Sequence, residues 1–196
     1  MQHVGKVATK RSENGIVAET SSPLYKVSGG KSVVVCIAPM EMAATDANVW
    51  AKTVLRQAGK PSGVVIAVEL PTHLYRTATP PEEGEAVVRV LQSAKAAPSP
   101  AAPALLEPPN MLEGAAAAVL AQCQLHDIPA RLYVSYRQHG GTDYGIDGAA
   151  FASFDACFLD PALKDATLLD ATAAKEVYSA NVKASWSKST DTLLYI

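Results

Sequence analysis

Apolar residues along this chain gather into short runs separated by turn formers, and the runs carry two different periodicities. Ser32-Val-Val-Val-Cys-Ile-Ala38 is apolar throughout and rich in β-branched residues, the pattern of a strand buried on both faces, and Pro39 ends it. Gly63-Val-Val-Ile-Ala-Val-Glu69 and Ala130-Arg-Leu-Tyr-Val-Ser-Tyr136 repeat that pattern. Between the runs the spacing turns helical. Trp50 and Val54 share a face at i, i+4, with Val49 and Leu55 beside them. Thr45 or Asp46 can cap this helix, and Gly59 and Pro61 stop it. A second helix is expected over 82–95. Pro80-Pro81 would stand at its start, with Val87, Val88 and Leu91 as its apolar stripe. A third covers 111–126, with Leu112, Ala116, Val119, Leu120 and Cys123 on one side, and ends before Ile128-Pro129. A short helix over 146–158 and a long one over 167–187, with Leu169, Ala173, Val177, Ala180 and Ala184 in helical register, complete the set.

The remaining stretches read as connections. Residues 1–14 are polar and expected to be loose. Gly15–Glu19 and Leu24–Ser28 flank the turn-rich Thr20-Ser-Ser-Pro23 and suggest a hairpin. Residues 96–104 alternate proline with alanine and have nothing large to bury, so an exposed, semi-extended loop is expected there rather than a domain boundary. A glycine-rich loop follows at 139–145, and residues 188–196 form a polar lead-in and an apolar terminus expected to be a flexible tail. Buried strands alternating with helices predict an α/β fold: one domain over 1–196 with a largely parallel sheet flanked by helices and an N-terminal β-hairpin. No internal repeat is visible.

Composition narrows the function classes. At 196 residues and 48% hydrophobic content the chain can bury a core without disulfide or metal staples. With 18% charged residues and a net charge of −2 it is neither a disordered chain nor a basic nucleic-acid binder. Cys36, Cys123 and Cys157 are odd in number and sit in apolar stretches, which points to buried reduced thiols. No run reaches the roughly 20 residues of a membrane span, and the first residues lack a signal-peptide core, so a soluble intracellular protein is expected.

The motifs of common chemistries are missing their partners. Gly30-Lys31-Ser32 ends like a phosphate-binding loop, but Tyr25 occupies the place of the required first glycine and Lys31 opens a strand, not a helix. His139-Gly140-Gly141 resembles half of a hydrolase oxyanion loop, without the nucleophile elbow that would complete it. Asp143 and Asp147 lack the ligand spacing of a calcium site. His3, His73, His126 and His139 pair with no second ligand at metal spacing. Glu82, Glu83 and Glu85 suit a charged helix start, and Cys123 lies on an apolar helix face. A catalytic, metal or cofactor site is therefore not expected. The alternative is a small-molecule enzyme, because α/β scaffolds host many activities. The C-terminus differs. Leu194, Tyr195 and Ile196 present an apolar side chain, a ring with a hydroxyl and a free carboxylate in fixed order, a tip that can enter a pocket.

That tip has company. Leu105-Leu-Glu107 with Pro109-Asn110, Ala118-Val-Leu120 with Cys123-Gln124, Ile128-Pro-Ala130 and Leu132-Tyr133 occur in the order found in the proteasome assembly chaperone 1 family, which this chain resembles over roughly residues 15–196. Leu194-Tyr195-Ile196 matches that family's hydrophobic–tyrosine–any ending. Family members carry a further strand–helix unit before the hairpin, so either an incomplete sheet at that side or a chain that is a fragment of a longer one is expected. The resemblance implies a non-enzymatic chaperone on an α/β sandwich that needs no nucleotide or metal. It implies a heterodimer with proteasome assembly chaperone 2 on the α-subunit ring of the proteasome core particle, in the cytoplasm or associated with nucleus or endoplasmic reticulum. By the same resemblance, Leu194 anchors the tail in a pocket between α subunits, Tyr195 packs and hydrogen-bonds there, and Ile196 brings the carboxylate.

Overall fold

The computed structural model describes residues 2–13, 16–27, 33–38, 42, 44–59, 61–78, 81, 86–137 and 155–163. Chain order begins with β1 (Gln2–Glu13), β2 (Ile16–Val27), β3 (Val33–Cys36) and α1 (Ala44–Gln57). It continues with β4 (Val64–Pro71), a 3-10 turn (Thr72–Leu74), β5 (Val87–Gln92), α2 (Gly114–Leu125), β6 (Ala130–Arg137) and a one-turn helix α3 (Asp155–Phe158).

The N-terminal hairpin forms, but not where the turn residues placed it. β1 and β2 run antiparallel from Gln2↔Lys26 to Glu13↔Ile16, so the polar start is a twelve-residue strand rather than a loose end. The stretch Thr20–Pro23 lies inside β2. The two residues between Glu13 and Ile16 are Asn14-Gly15, the strongest dipeptide signal for a two-residue hairpin loop. Serines and a proline can sit in a strand whose partner reaches them, and here β1 supplies that partner along the whole length. β3 pairs antiparallel with the end of β2, from Leu24↔Cys36 to Val27↔Val33, and is half-buried rather than sealed on both faces.

The second sheet has the order β4-β6-β5, with β4 parallel and β5 antiparallel to the central β6. The α/β class therefore stands, with a mixed three-stranded sheet flanked by helices. The expected helix over 82–95 is corrected: Val87–Gln92 is strand β5, in register from Val87↔Tyr136 to Gln92↔Arg131. Val87, Val88 and Leu91 imitate a helical stripe because both faces of this strand are covered, so the apolar run shows no alternation. The β-branched density of Val-Val-Arg-Val-Leu was the better signal.

Helices α1 and α2 form as the periodicity predicts. Gly59, at φ +86°, follows α1 in the left-handed conformation that closes a helix without Cβ strain. Trp50, Ala51, Val54 and Leu55 of α1 pack with Val119 and Cys123 of α2 and with Leu24 of β2. Trp50 is 3% exposed, and its indole N–H donates to Ser22 Oγ at 3.0 Å, which ties α1 to the hairpin. A second cluster joins Tyr75, Val87, Leu106, Leu132, Val134 and Tyr136 beneath α2. No described helix is long and apolar enough to cross a membrane.

Candidate functional site

Strand β6 organises what chemistry the described residues hold, because alternation sends its side chains to two different layers. Ala130, Leu132, Val134 and Tyr136 face the helical core. Arg131, Tyr133, Ser135 and Arg137 lie on the opposite face, where α3 and the residues after it pack. A run that reads as uniformly apolar therefore carries a polar row on one side.

The centre of that row is a clasp. Asp160, 1% exposed, accepts through Oδ2 from Arg131 Nη1 at 2.9 Å and from the Tyr133 hydroxyl at 2.7 Å. Its Oδ1 accepts from the backbone N–H of Ala162 at 2.8 Å. Arg131 is itself 4% exposed, and its Nε and Nη2 are buried without a hydrogen-bond partner. Burial, and then the bond to Asp160, push the Tyr133 hydroxyl far above the usual tyrosine range. Cys157 packs between Val90 and Tyr133 in the same layer. Beside the clasp, a Cβ on Gly63 would stand 2.9 Å from the Ala162 Cβ, so the absence of a side chain at 63 lets the segment lie against the start of β4.

A second polar cluster sits on the helical side and explains the Leu105–Asn110 segment. Leu106 donates its N–H to Val90 O at 2.9 Å and Val90 donates to Ala104 O at 3.0 Å, so this segment runs alongside β5. Glu107 accepts from the Tyr75 hydroxyl and, at 3.1 Å, from Arg89 Nε, and Arg89 Nη2 donates to the Tyr75 oxygen at 2.8 Å. Tyr75 stacks at a tilt on Tyr136, with centroids 4.9 Å apart, and the Arg89 guanidinium lies 5.3 Å from the Tyr75 ring centre. The bond from Tyr75, a backbone N–H and Arg89 hold the Glu107 carboxyl below its usual range. Asn110 accepts from the Arg76 N–H at 2.7 Å and donates to Arg76 O at 2.9 Å, matching a backbone edge with one side chain. Leu106, Glu107 and Asn110 thus brace a loop that leaves Leu105 and Met111 exposed.

Further along, Ser93 holds the Ile128-Pro-Ala130 turn. Its Oγ donates to Ile128 O and accepts from the Ala130 N–H, both at 2.9 Å. Three of the four segments that carried the resemblance, at 105–110, 118–124 and 128–130, therefore meet around β5 and the start of β6 as scaffold.

None of this is a nucleophile or a metal centre. Burial raises the thiol of Cys36 to about 11, of Cys123 to about 11 and of Cys157 to about 12, the last with help from Asp160. Thiols so raised are not thiolates at neutral pH. Among the described residues no group of His, Cys, Asp and Glu could hold a metal ion. His73 and His126 are exposed. Leu194, Tyr195 and Ile196 lie outside the described residues, as do Gly30-Lys31-Ser32, Glu82, Glu83, Glu85, residues 139–145 and the helix expected over 167–187. Sequence reasoning missed the brace and the clasp. Their signal was a lone charge inside each apolar strand, Arg89 and Arg131, because a buried charge requires a partner.

The family model described as proteasome assembly chaperone 4 matches residues 5–192. The protein named proteasome assembly chaperone 1 from Nematostella vectensis is 27% identical over 120 residues, 60% of this chain and 46% of that protein. The chain's match thus spans about half the length of that curated relative. A Thermoplasma acidophilum protein of unknown function superposes with a TM-score of 0.59 at 14% identity, over 96% of this chain and 76% of its own. Pyrococcus furiosus PbaB, described as an archaeal proteasome activator, superposes with a TM-score of 0.52 at 13% identity, over 92% of this chain and 82% of its own. At such identities the superpositions establish the shared fold.

Proposed function

The chain belongs to the proteasome assembly chaperone 4 family, and from that premise we propose that it is one half of a heterodimeric assembly chaperone for the proteasome core particle. Its partner is proteasome assembly chaperone 2, and the pair binds the α-subunit ring in the cytoplasm. The family match along residues 5–192 is the observation that carries this reading. The ending Leu194-Tyr195-Ile196 supplies the contact: Leu194 buries apolar surface in a pocket between α subunits, Tyr195 packs its ring and bonds through its hydroxyl, and the Ile196 carboxylate meets a lysine. The step is association, with no cofactor, and the chain promotes ring assembly by holding adjacent α subunits together.

Capture of α-ring intermediates tests this. Adding one residue after Ile196 keeps every native side chain and displaces the carboxylate by about 3.5 Å. Loss of a charge-assisted bond costs about 1.5–3 kcal/mol, roughly ten- to a hundred-fold in affinity. Tyr195→Ala should cost at least as much, and a change at exposed Lys52 should cost nothing. Binding of the extended and Tyr195→Ala chains at wild-type strength refutes the tail reading. Failure to pair with proteasome assembly chaperone 2 in light scattering refutes the heterodimer. Mature core particle belongs in the same assay, because the fold is shared with a protein described as an archaeal proteasome activator. Preference for the mature particle over ring intermediates would replace assembly with activation.

A further inference from the structure

The loop braced by Glu107 and Asn110 carries a surface patch that complements itself, and we infer that this patch docks a second copy of the chain about a two-fold axis. The inference depends neither on the tail nor on the heterodimer, because it concerns how the chain meets itself.

Two short segments make the patch. Leu74 and Arg76 flank the buried Tyr75, and both are exposed, Leu74 to 50%. Met111 and Glu113 flank Leu112, which packs into the cluster beneath α2, and both are likewise exposed, Met111 to 83%. Asn110 seams the segments together, accepting from the Arg76 N–H at 2.7 Å and donating to Arg76 O at 2.9 Å. Arg76 therefore lies on the Asn110 side of Met111, and Glu113 lies two residues beyond it, up to about 7 Å along the chain. The order across the surface is base, apolar, acid. Neither charge is satisfied at home. Among the described residues the Arg76 guanidinium and the Glu113 carboxylate have no ion-pair partner, and Glu113 does not cap α2 with its side chain.

A surface with that order matches its own copy. A two-fold axis near Met111 turns Arg76 of each copy towards Glu113 of the other, so one ion pair is made twice while Met111 and Leu74 of both copies close the centre. A partner of one charge sign would face either Arg76 or Glu113 with a like charge. A purely apolar partner would bury both charges unpaired. A second copy does neither. The support is stiff: Glu107 is tied to Tyr75 and Arg89, and Leu106 to Val90. Docking then orders little backbone, and the flexible Met111 side chain adapts to its counterpart.

Sedimentation of the full-length chain over a range of concentrations tests this. Wild type should form a dimer that weakens as salt is raised. Met111→Glu should weaken it roughly tenfold or more, since it sets an acid at the apolar centre. Arg76→Glu and Glu113→Arg should each weaken it too, because each makes the patch a single sign. The three positions are exposed, so melting temperatures should stay near that of wild type. Mixing the Arg76→Glu chain with the Glu113→Arg chain should restore a dimer, one all-acidic patch against one all-basic patch. A wild type that stays monomeric overturns the inference, as does a dimer indifferent to all three substitutions, which would use another face. Two weakened single variants that do not recover on mixing overturn the two-fold pairing. A chain that is monomeric alone but needs Met111 to bind proteasome assembly chaperone 2 gives the face to that partner and overturns the second copy.

Discussion

Glu107→Gln is the most exacting check on the brace. The substitution keeps side-chain length and an oxygen that accepts from the Tyr75 hydroxyl, and it removes only the charge. The Arg89–Glu107 pair is close, at 3.1 Å, but the two side chains are 26% and 41% exposed, so water screens it. Such a pair contributes about 0.5–1 kcal/mol. The Tyr75 bond changes from charge-assisted to neutral, which adds about 0.5–1 kcal/mol. The expected loss is therefore about 1–2 kcal/mol at neutral pH. With a urea slope of about 2–3 kcal/mol/M, the unfolding midpoint should fall by about 0.5 M. The acid limb provides a second reading of the same carboxylate. Because Glu107 is held below its usual range by Tyr75, a backbone N–H and Arg89, its folded pKa lies below its unfolded one. The contribution is then complete above the ordinary glutamate value of about 4.3 and lost as pH falls from there through the folded pKa. Wild type and Glu107→Gln should differ at neutral pH and converge as pH falls below the ordinary glutamate value through the folded pKa. Urea unfolding across that range is the assay. A gap that stays constant into acid, or no gap at neutral pH, refutes the reasoning.

Other expectations follow from the same geometry. Tyr133 is raised chiefly by burial and then by Asp160, so its contribution is present below the unfolded tyrosine value of about 10 and lost as pH climbs beyond it; Tyr133→Phe should flatten that alkaline decline in stability. Ser22→Ala leaves the Trp50 indole N–H buried without an acceptor and should cost about 1–3 kcal/mol by denaturant unfolding, and much less when made in a Trp50→Phe background if the bond is the cause. Cys123 and Cys157, raised to about 11 and about 12 by burial, should resist alkylation at neutral pH until the chain is unfolded, which mass spectrometry reads directly. Replacing residues 97–101 by Gly-Ser should leave the melting temperature within a few degrees. Extending the replacement through Ala102, which packs against the Val90–Tyr133–Cys157 cluster, should lower it further.

The sequence by itself determined the elements whose signal is local. The helical spacing of Trp50 and Val54, the stop at Gly59, the α2 stripe ending at Cys123 and the apolar runs of β4 and β6 all survive because each element's own periodicity matches the face it buries. It also carried the ordered segments between Leu105 and Tyr133 that led to the family, since a run of specific residues needs no tertiary context to be read. What tertiary structure decided was non-local. Val87–Gln92 is a strand only because β6 lies beside it, and covering both faces erased the alternation that would have distinguished it from a helix. The polar stretch 2–13 is a strand because β2 pairs with it from end to end, a partnership announced only by Asn14-Gly15. Arg89 and Arg131 read as isolated charges until the chain brings Glu107 from 18 residues away and Asp160 from 29. Pairing and ion partnership are contacts between distant residues, and periodicity within one segment holds no record of them.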